Sequence, residues 1–243
     1  ESMPRVYWSQ TRRACIRDHR DVEDHRDCTR VEIVVVKVTM TNLIKGDALT
    51  LIQDIPAKSL DLVATDPPYA FGGSGAEHEL SATVAVVLRE AAVRLKVGGW
   101  MVVFCASSWR STSYMVDAVR GILTPVRIGT WVKPNATSKT KTPGWRWASV
   151  NAVALRRGKS ADLQPSQLPD YVIAEPIRNG RRAELPQSVA EWAVQPFVVV
   201  DGKMLDPFAG SGALVKAARF FKMDATGFEL DGGTHLDEVS TGA

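Results

Sequence analysis

Met204-Leu205-Asp206-Pro207-Phe208-Ala209-Gly210-Ser211-Gly212 reads as a short apolar strand entering a proline-bounded, glycine-rich turn, and Ala213 to Phe221 continues with helical spacing. Small residues in such a turn let the backbone approach a ligand closely, while the first amides of the helix point at it. Two common nucleotide readings fail on spacing. There is no Gly-Lys-Ser/Thr continuation for a triphosphate, and Ala213-Leu214-Val215 stands where a dinucleotide loop needs its third glycine. About seventeen residues past Gly212, Glu229 closes the next apolar run with Leu230 beside it, where a carboxylate can accept hydrogen bonds from ribose hydroxyls. Taken alone, Glu229 is as well explained as a solvated strand-end acid. Coupled to the glycine turn, it favours ligand binding.

Outward from this stretch, strand-like apolar runs recur at Leu43-Ile44, Leu60 to Thr65, Trp100 to Ala106, Val126 to Val132, Val150 to Leu155, Lys203 to Leu205 and Ala225 to Phe228. Helical patterns lie between several of them. The clearest is Ser81 to Leu95, where Val84, Val87, Leu88, Ala91, Ala92 and Leu95 recur at spacings of three and four, and Gly98-Gly99 is expected to stop it. Strands alternating with helices predict a doubly wound, mostly parallel α/β sheet with its ligands at the carboxyl ends of strands. A second motif, Asp66-Pro67-Pro68-Tyr69, sits at such an end. Chance placement of that tetrapeptide in a chain this long has a probability of roughly 10⁻³.

With these motifs the chain resembles the S-adenosylmethionine-dependent amino-methyltransferases of DNA. In that family the glycine loop is similar to Asp206, Pro207, Phe208, Gly210, Ser211 and Gly212, the ribose acid to Glu229, and the catalytic tetrapeptide to Asp66 through Tyr69. The tetrapeptide comes first here and the glycine loop last, as in the permuted β group. The resemblance implies a seven-stranded, Rossmann-like methyltransferase sheet, with S-adenosylmethionine as cofactor and DNA as partner, either duplex with an extruded base or single-stranded. It assigns Asp47 and Ala48, within Gly46-Asp47-Ala48, to the strand-end acid that meets the cofactor's adenine. Leu185-Pro186 matches a segment that normally reads Lys-Pro, with leucine replacing the lysine. The resemblance covers about residues 41–231, patchily between 107 and 182.

An exocyclic amine is a poor nucleophile because its lone pair is delocalised into the ring. Asp66 as carboxylate and the carbonyl of Pro67 can each accept one amine hydrogen and turn the nitrogen toward tetrahedral geometry. Pro68 helps stiffen the turn, and Tyr69 offers an aromatic face for an extruded base. No metal is required. Aspartate at position 66 leans toward adenine N6, since relatives acting on cytosine N4 more often carry Ser-Pro-Pro-Tyr. Cytosine N4 stays open, as do RNA methylation and a methyltransferase-like binding subunit without turnover. The resemblance fits an enzyme of phage, plasmid or restriction-modification type.

The 243 residues, 45% apolar and 23% charged, suffice for one α/β domain with a substantial core. A net charge of +3 announces no polyanion partner by itself, but the segment from Lys133 to Arg182 holds ten basic residues against three acids. Within it Lys133, Lys139, Lys141, Trp145, Arg146, Trp147, Arg156, Arg157, Arg181 and Arg182 form the candidate nucleic-acid surface, cations for phosphates beside aromatic faces for bases. The same tryptophans folded back onto the core are an equally good reading. Little room remains for a separate target-recognition domain, so relaxed specificity, a homodimer or a partner subunit is expected.

Residues 1–40 read as an appendage with a near-repeat of Arg, Asp and His, and residues 41–243 as a single domain. Val31 to Met40 has strand-like composition. Cys15, His19, His25 and Cys28 have zinc-like numbers, but their spacing fits no common finger and composition explains both histidines. Three cysteines, no signal-peptide pattern and no membrane-length apolar run make a cytoplasmic setting the expectation.

Overall fold

Residues of both parities are apolar along the central strands, the pattern of a sheet covered on both faces. In β2 (Leu60–Thr65) and β3 (Leu95–Ala106), Leu62, Ala64, Val102 and Phe104 enter one core, while Val63, Met101, Val103 and Cys105 enter the other. The computed structural model describes residues 42–68, 75–135, 145–159, 167–177 and 184–230. The expectations for residues 1–40, with their Cys and His set, and for Tyr69, Lys139, Lys141, Arg181 and Arg182 lie outside the described residues.

The remaining strands are β1 (Asn42–Lys45), β4 (Thr124–Val132), β5 (Ser149–Arg156), β6 (Tyr171–Ile173), β7 (Lys203–Asp206) and β8 (Asp224–Glu229). Among the described residues they form one sheet in the order β1-β8-β7-β2-β3-β5-β4-β6, and only β5 runs against the rest. All seven strand-like runs are strands. The expected total of seven is corrected to eight, because the short β6 adds itself to the edge beside β4.

Helices α1 (Ala48–Leu51), α2 (Gly75–Arg94) and α3 (Trp109–Ala118) carry buried residues of the core containing Val63, and α4 (Gln187–Val194) and α5 (Ala213–Phe220) line the other. The predicted apolar stripe, Val84, Val87, Leu88, Ala91, Ala92 and Leu95, is buried as read. Its stop differs from expectation. α2 ends at Arg94, and Leu95 passes directly into β3, whose register against β2 jumps from Leu60↔Leu95 to Leu62↔Trp100. Gly98-Gly99 therefore form a bulge within a strand, pinned by the Gly98 amide donating to Arg157 O at 2.7 Å. No helix among the described residues is long and apolar enough to cross a membrane.

Candidate active site

β2 and β7 are parallel neighbours, Leu62 against Met204 and Val63 against Leu205, so the turns that follow them open side by side at one end of the sheet. This is the switch point of the winding, where chain leaving β7 goes toward β8 and chain leaving β2 toward β3. Thr65 Oγ1 donates to Asp206 Oδ1 at 2.7 Å and the Phe208 amide donates to the same oxygen at 3.1 Å, which locks the two turns together beneath the crevice. Asp206 is buried, and that burial pushes its carboxyl up to about 7 against the pull of these two hydrogen bonds, with the nearby Asp66 and Glu229 charges adding to the rise.

The glycine turn is shaped as its composition requires. Gly210 and Gly212 take φ of 54° and 77°, the left-handed region that side chains resist, and a side chain at Gly212 would also meet Leu43 Cδ1 at 3.2 Å. Glu229 Oε2 accepts the Gly210 amide at 2.8 Å, so the acid at the end of β8 braces the turn as well as facing the crevice. Asp47 caps α1, accepting from Leu49 N and from Thr50 Oγ1, both at 3.3 Å.

These elements enclose a cavity of about 610 Å³. It brings together Asp66, Pro67 and Pro68 with Asp47, Ala48, Asp206, Pro207, Phe208, Gly210, Ser211, Glu229 and Leu230; Gly212 shapes the turn from behind. Sequence reading missed Gly46, Thr83, Val87, Glu184 and Phe228 as walls, and placed Leu185 only through its resemblance to a Lys-Pro segment. Thr83 and Val87 come from the middle of α2, whose pattern signals only a buried stripe.

Five carboxylic acids line this cavity and, among the described lining residues, no lysine or arginine does. Such a field repels phosphates and suits a ligand bearing positive charge. The volume falls within the range of small-molecule and cofactor sites, and the space facing Gly210 is open, with nothing within 4 Å of an added Cβ. The residues present thus fit S-adenosylmethionine, with its sulfonium and ammonium charges, better than a nucleotide phosphate.

The basic and aromatic candidates divide between the two ends of the sheet. Lys133 follows β4 at the cavity end, its Nζ 4.3 Å from the centre of the Trp131 ring. Burial lowers its pKa and the Asp66 charge opposes that shift. Trp145, Arg146 and Trp147 precede β5 at the same end, with Trp145 99% exposed. Arg156 and Arg157 require a correction. β5 is the reversed strand, so its last residues lie on the order of 20 Å from its first, at the opposite end of the sheet. There Arg156 lies over the Trp100 ring and Arg157 Nη1 donates to Val93 O at 2.6 Å, tying down the end of α2.

YubD of Escherichia coli (strain K12), an inferred methylase, is 27% identical in a 196-position alignment that covers 74% of this chain and 80% of that protein. TTHA0409 of Thermus thermophilus, an inferred DNA modification methylase, matches with a TM-score of 0.57 and 25% identity over 79% of this chain and 89% of its own; it has also been solved with S-adenosyl-L-methionine. The chain is thus similar, in sequence and in fold, to a DNA modification methylase. The cytosine-N4-specific PvuII DNA methyltransferase, at 20% identity, shares the fold with a TM-score of 0.61 over 77% of this chain and 81% of its own. No family model matches the chain. The methyltransferase architecture is present with its tetrapeptide strand preceding its glycine-loop strand, as the motif order implied.

Proposed function

We propose that this chain transfers a methyl group from S-adenosylmethionine to the exocyclic N6 amine of adenine in DNA. The observation that carries the reading is the juxtaposition of the Asp66 turn and the glycine turn on adjacent parallel strands, opening into one acid-lined cavity.

When bound, S-adenosylmethionine supplies an electrophilic methyl group on a positively charged sulfur. The glycine turn from Asp206 to Gly212 would hold it, Glu229 and Asp47 would meet its ribose and adenine, and the acidic walls would favour its charge. Asp66 and the Pro67 carbonyl accept the two amine hydrogens of the target base, aiming the nitrogen lone pair into the cavity. Two consecutive prolines hold that carbonyl outward, because neither can donate a backbone hydrogen bond that would fold the turn inward. The amine becomes acidic once methylated and releases its proton, so no separate strong base is needed. Lys133, Trp145, Arg146 and Trp147 stand on the rim at which a nucleic-acid strand would arrive.

Digestion of methylated DNA to nucleosides followed by mass spectrometry tests the base and position together. N6-methyladenine is expected with the wild-type chain, and Asp66→Ala is expected to lower labelling by at least a hundredfold while cofactor affinity is kept. N4-methylcytosine would overturn the choice of base, a choice that rests on the aspartate at position 66. Equal labelling by Asp66→Ala would remove that residue from catalysis.

A further inference from the structure

β3 lies beside β2, and their register carries Ala106 to the level of Pro68, so the connection from β3 into α3 emerges at the cavity end of the sheet, roughly one strand spacing of about 5 Å to the side. The first residue of α3 is Trp109, which is 86% exposed, and the next, Arg110, is exposed as well. Trp109 thus presents a large, flat apolar face to solvent at the end of the sheet where the cavity opens.

The connection is not a frayed end. Ser108 caps α3 by accepting from Ser111 N at 3.1 Å, and Ser108 Oγ donates to Ser111 Oγ at 2.9 Å. Ser149 Oγ donates to Ser107 Oγ at 2.9 Å, Ser107 Oγ to Asn151 Oδ1 at 3.1 Å, and Asn151 Nδ2 to Thr112 Oγ1 at 3.1 Å. This polar network binds the start of α3 to the start of β5 and fixes the backbone that presents Trp109. Since Ala106 is paired with Val150, Trp147 and Trp145 emerge at the same end, with Lys133 beyond them after β4. The cavity is acidic, whereas this rim offers Arg110, Arg146 and Lys133.

We propose that Trp109 is a nucleic-acid contact, its indole stacking on a base that flanks the target nucleotide while Arg110 meets the adjoining phosphate. This rests on the reading of the chain as a DNA methyltransferase. Trp109 is then a positioning residue for the strand, acting beside the cavity and not within it. The occupant follows from three features together: a flat apolar face, cations at the same end of the sheet, and nearness to a cavity whose acidic walls repel phosphate.

The test uses the full chain, a fluorescein-labelled unmethylated duplex made by amplification, and the variants Trp109→Ala and Trp109→Phe. Anisotropy gives affinity for the duplex, tritiated-methyl transfer gives KM and kcat, and calorimetry gives cofactor affinity. Trp109→Ala is expected to weaken duplex binding and raise the DNA KM about 5- to 150-fold, the range that losing one base–aromatic stack corresponds to. Melting temperature and cofactor affinity are expected to stay at wild-type values, and Trp109→Phe to recover most of the loss. Duplex affinity of Trp109→Ala within twofold of wild type would overturn the inference, whether or not methyl transfer occurs. Wild-type chain that binds the duplex but transfers no methyl group would instead sink the proposed reaction and leave the contact itself to be judged on affinity.

Discussion

Asp206 holds its carboxyl in the wall of the cavity at the expense of its ionised form. Folding raises its pKa from the ordinary 3.8 to about 7, with burial as the main cause. Between those values the folded chain keeps a proton that the unfolded chain releases, so this residue's contribution makes stability fall as pH rises from about 4 to about 7 and level off above. Asp206→Asn lacks that titration. Its stability relative to wild type is expected to improve steadily across the same interval, by at most on the order of 4 kcal/mol. Urea unfolding of both chains at pH 5 and pH 8 checks this, and an unchanged difference between the two pH values would refute it. Thr65→Val tests the same pair from the other side, since removing the hydroxyl leaves a buried oxygen of Asp206 with one donor fewer. A loss of about 1–3 kcal/mol is expected in the same unfolding assay at pH 8.

The strands and their supporting helices tolerate little change where they cross closely. A Cβ at Gly227 in β8 would lie 2.6 Å from Ala209 Cβ, 2.7 Å from Leu43 Cδ2 and 2.8 Å from Val215 Cγ2, so three elements would have to move for one methyl group. Gly227→Ala is expected to cost about 1–3 kcal/mol or more and to weaken cofactor binding, because the glycine turn is among the parts displaced. Thermal melting and calorimetry read the two effects separately. The central strands β2, β3 and β5 were legible in the sequence because burial on both faces leaves continuous apolar runs, and the largely exposed β4 through its Val, Ile and Trp. β6 was not legible, since three residues directly after Pro169-Asp170 hold too little pattern to register, and only pairing with β4 makes them a strand. The Asp66 and Asp206 turns were legible because their chemistry is local. Arg156 and Arg157 were misplaced for the opposite reason: a run of charge along the chain does not say which end of the sheet it reaches, and the reversal of β5 carried them away from the rim.

At the scale of the molecule, an acidic cavity opens beside a basic rim, while Arg156 and Arg157 are engaged at the far end with Trp100 and α2. DNA affinity is therefore expected to fall steeply between about 50 and 200 mM salt, with Arg146→Ala reducing the slope of log affinity against log salt by about 1. Arg156→Ala is expected to leave that slope unchanged, and a salt titration of both variants decides whether the division of charge holds. The hydrogen bond from Thr65 to Asp206 spans 141 residues of chain, and the acid that braces the glycine turn lies further on still, at position 229. During synthesis the Asp66 turn thus leaves the ribosome long before its counterpart exists. A nascent chain halted ahead of β7 has an unpaired flank on β2 and lacks the glycine turn, so capture of the cofactor awaits translation through β8, and the exposed flank is where a chaperone would be needed meanwhile.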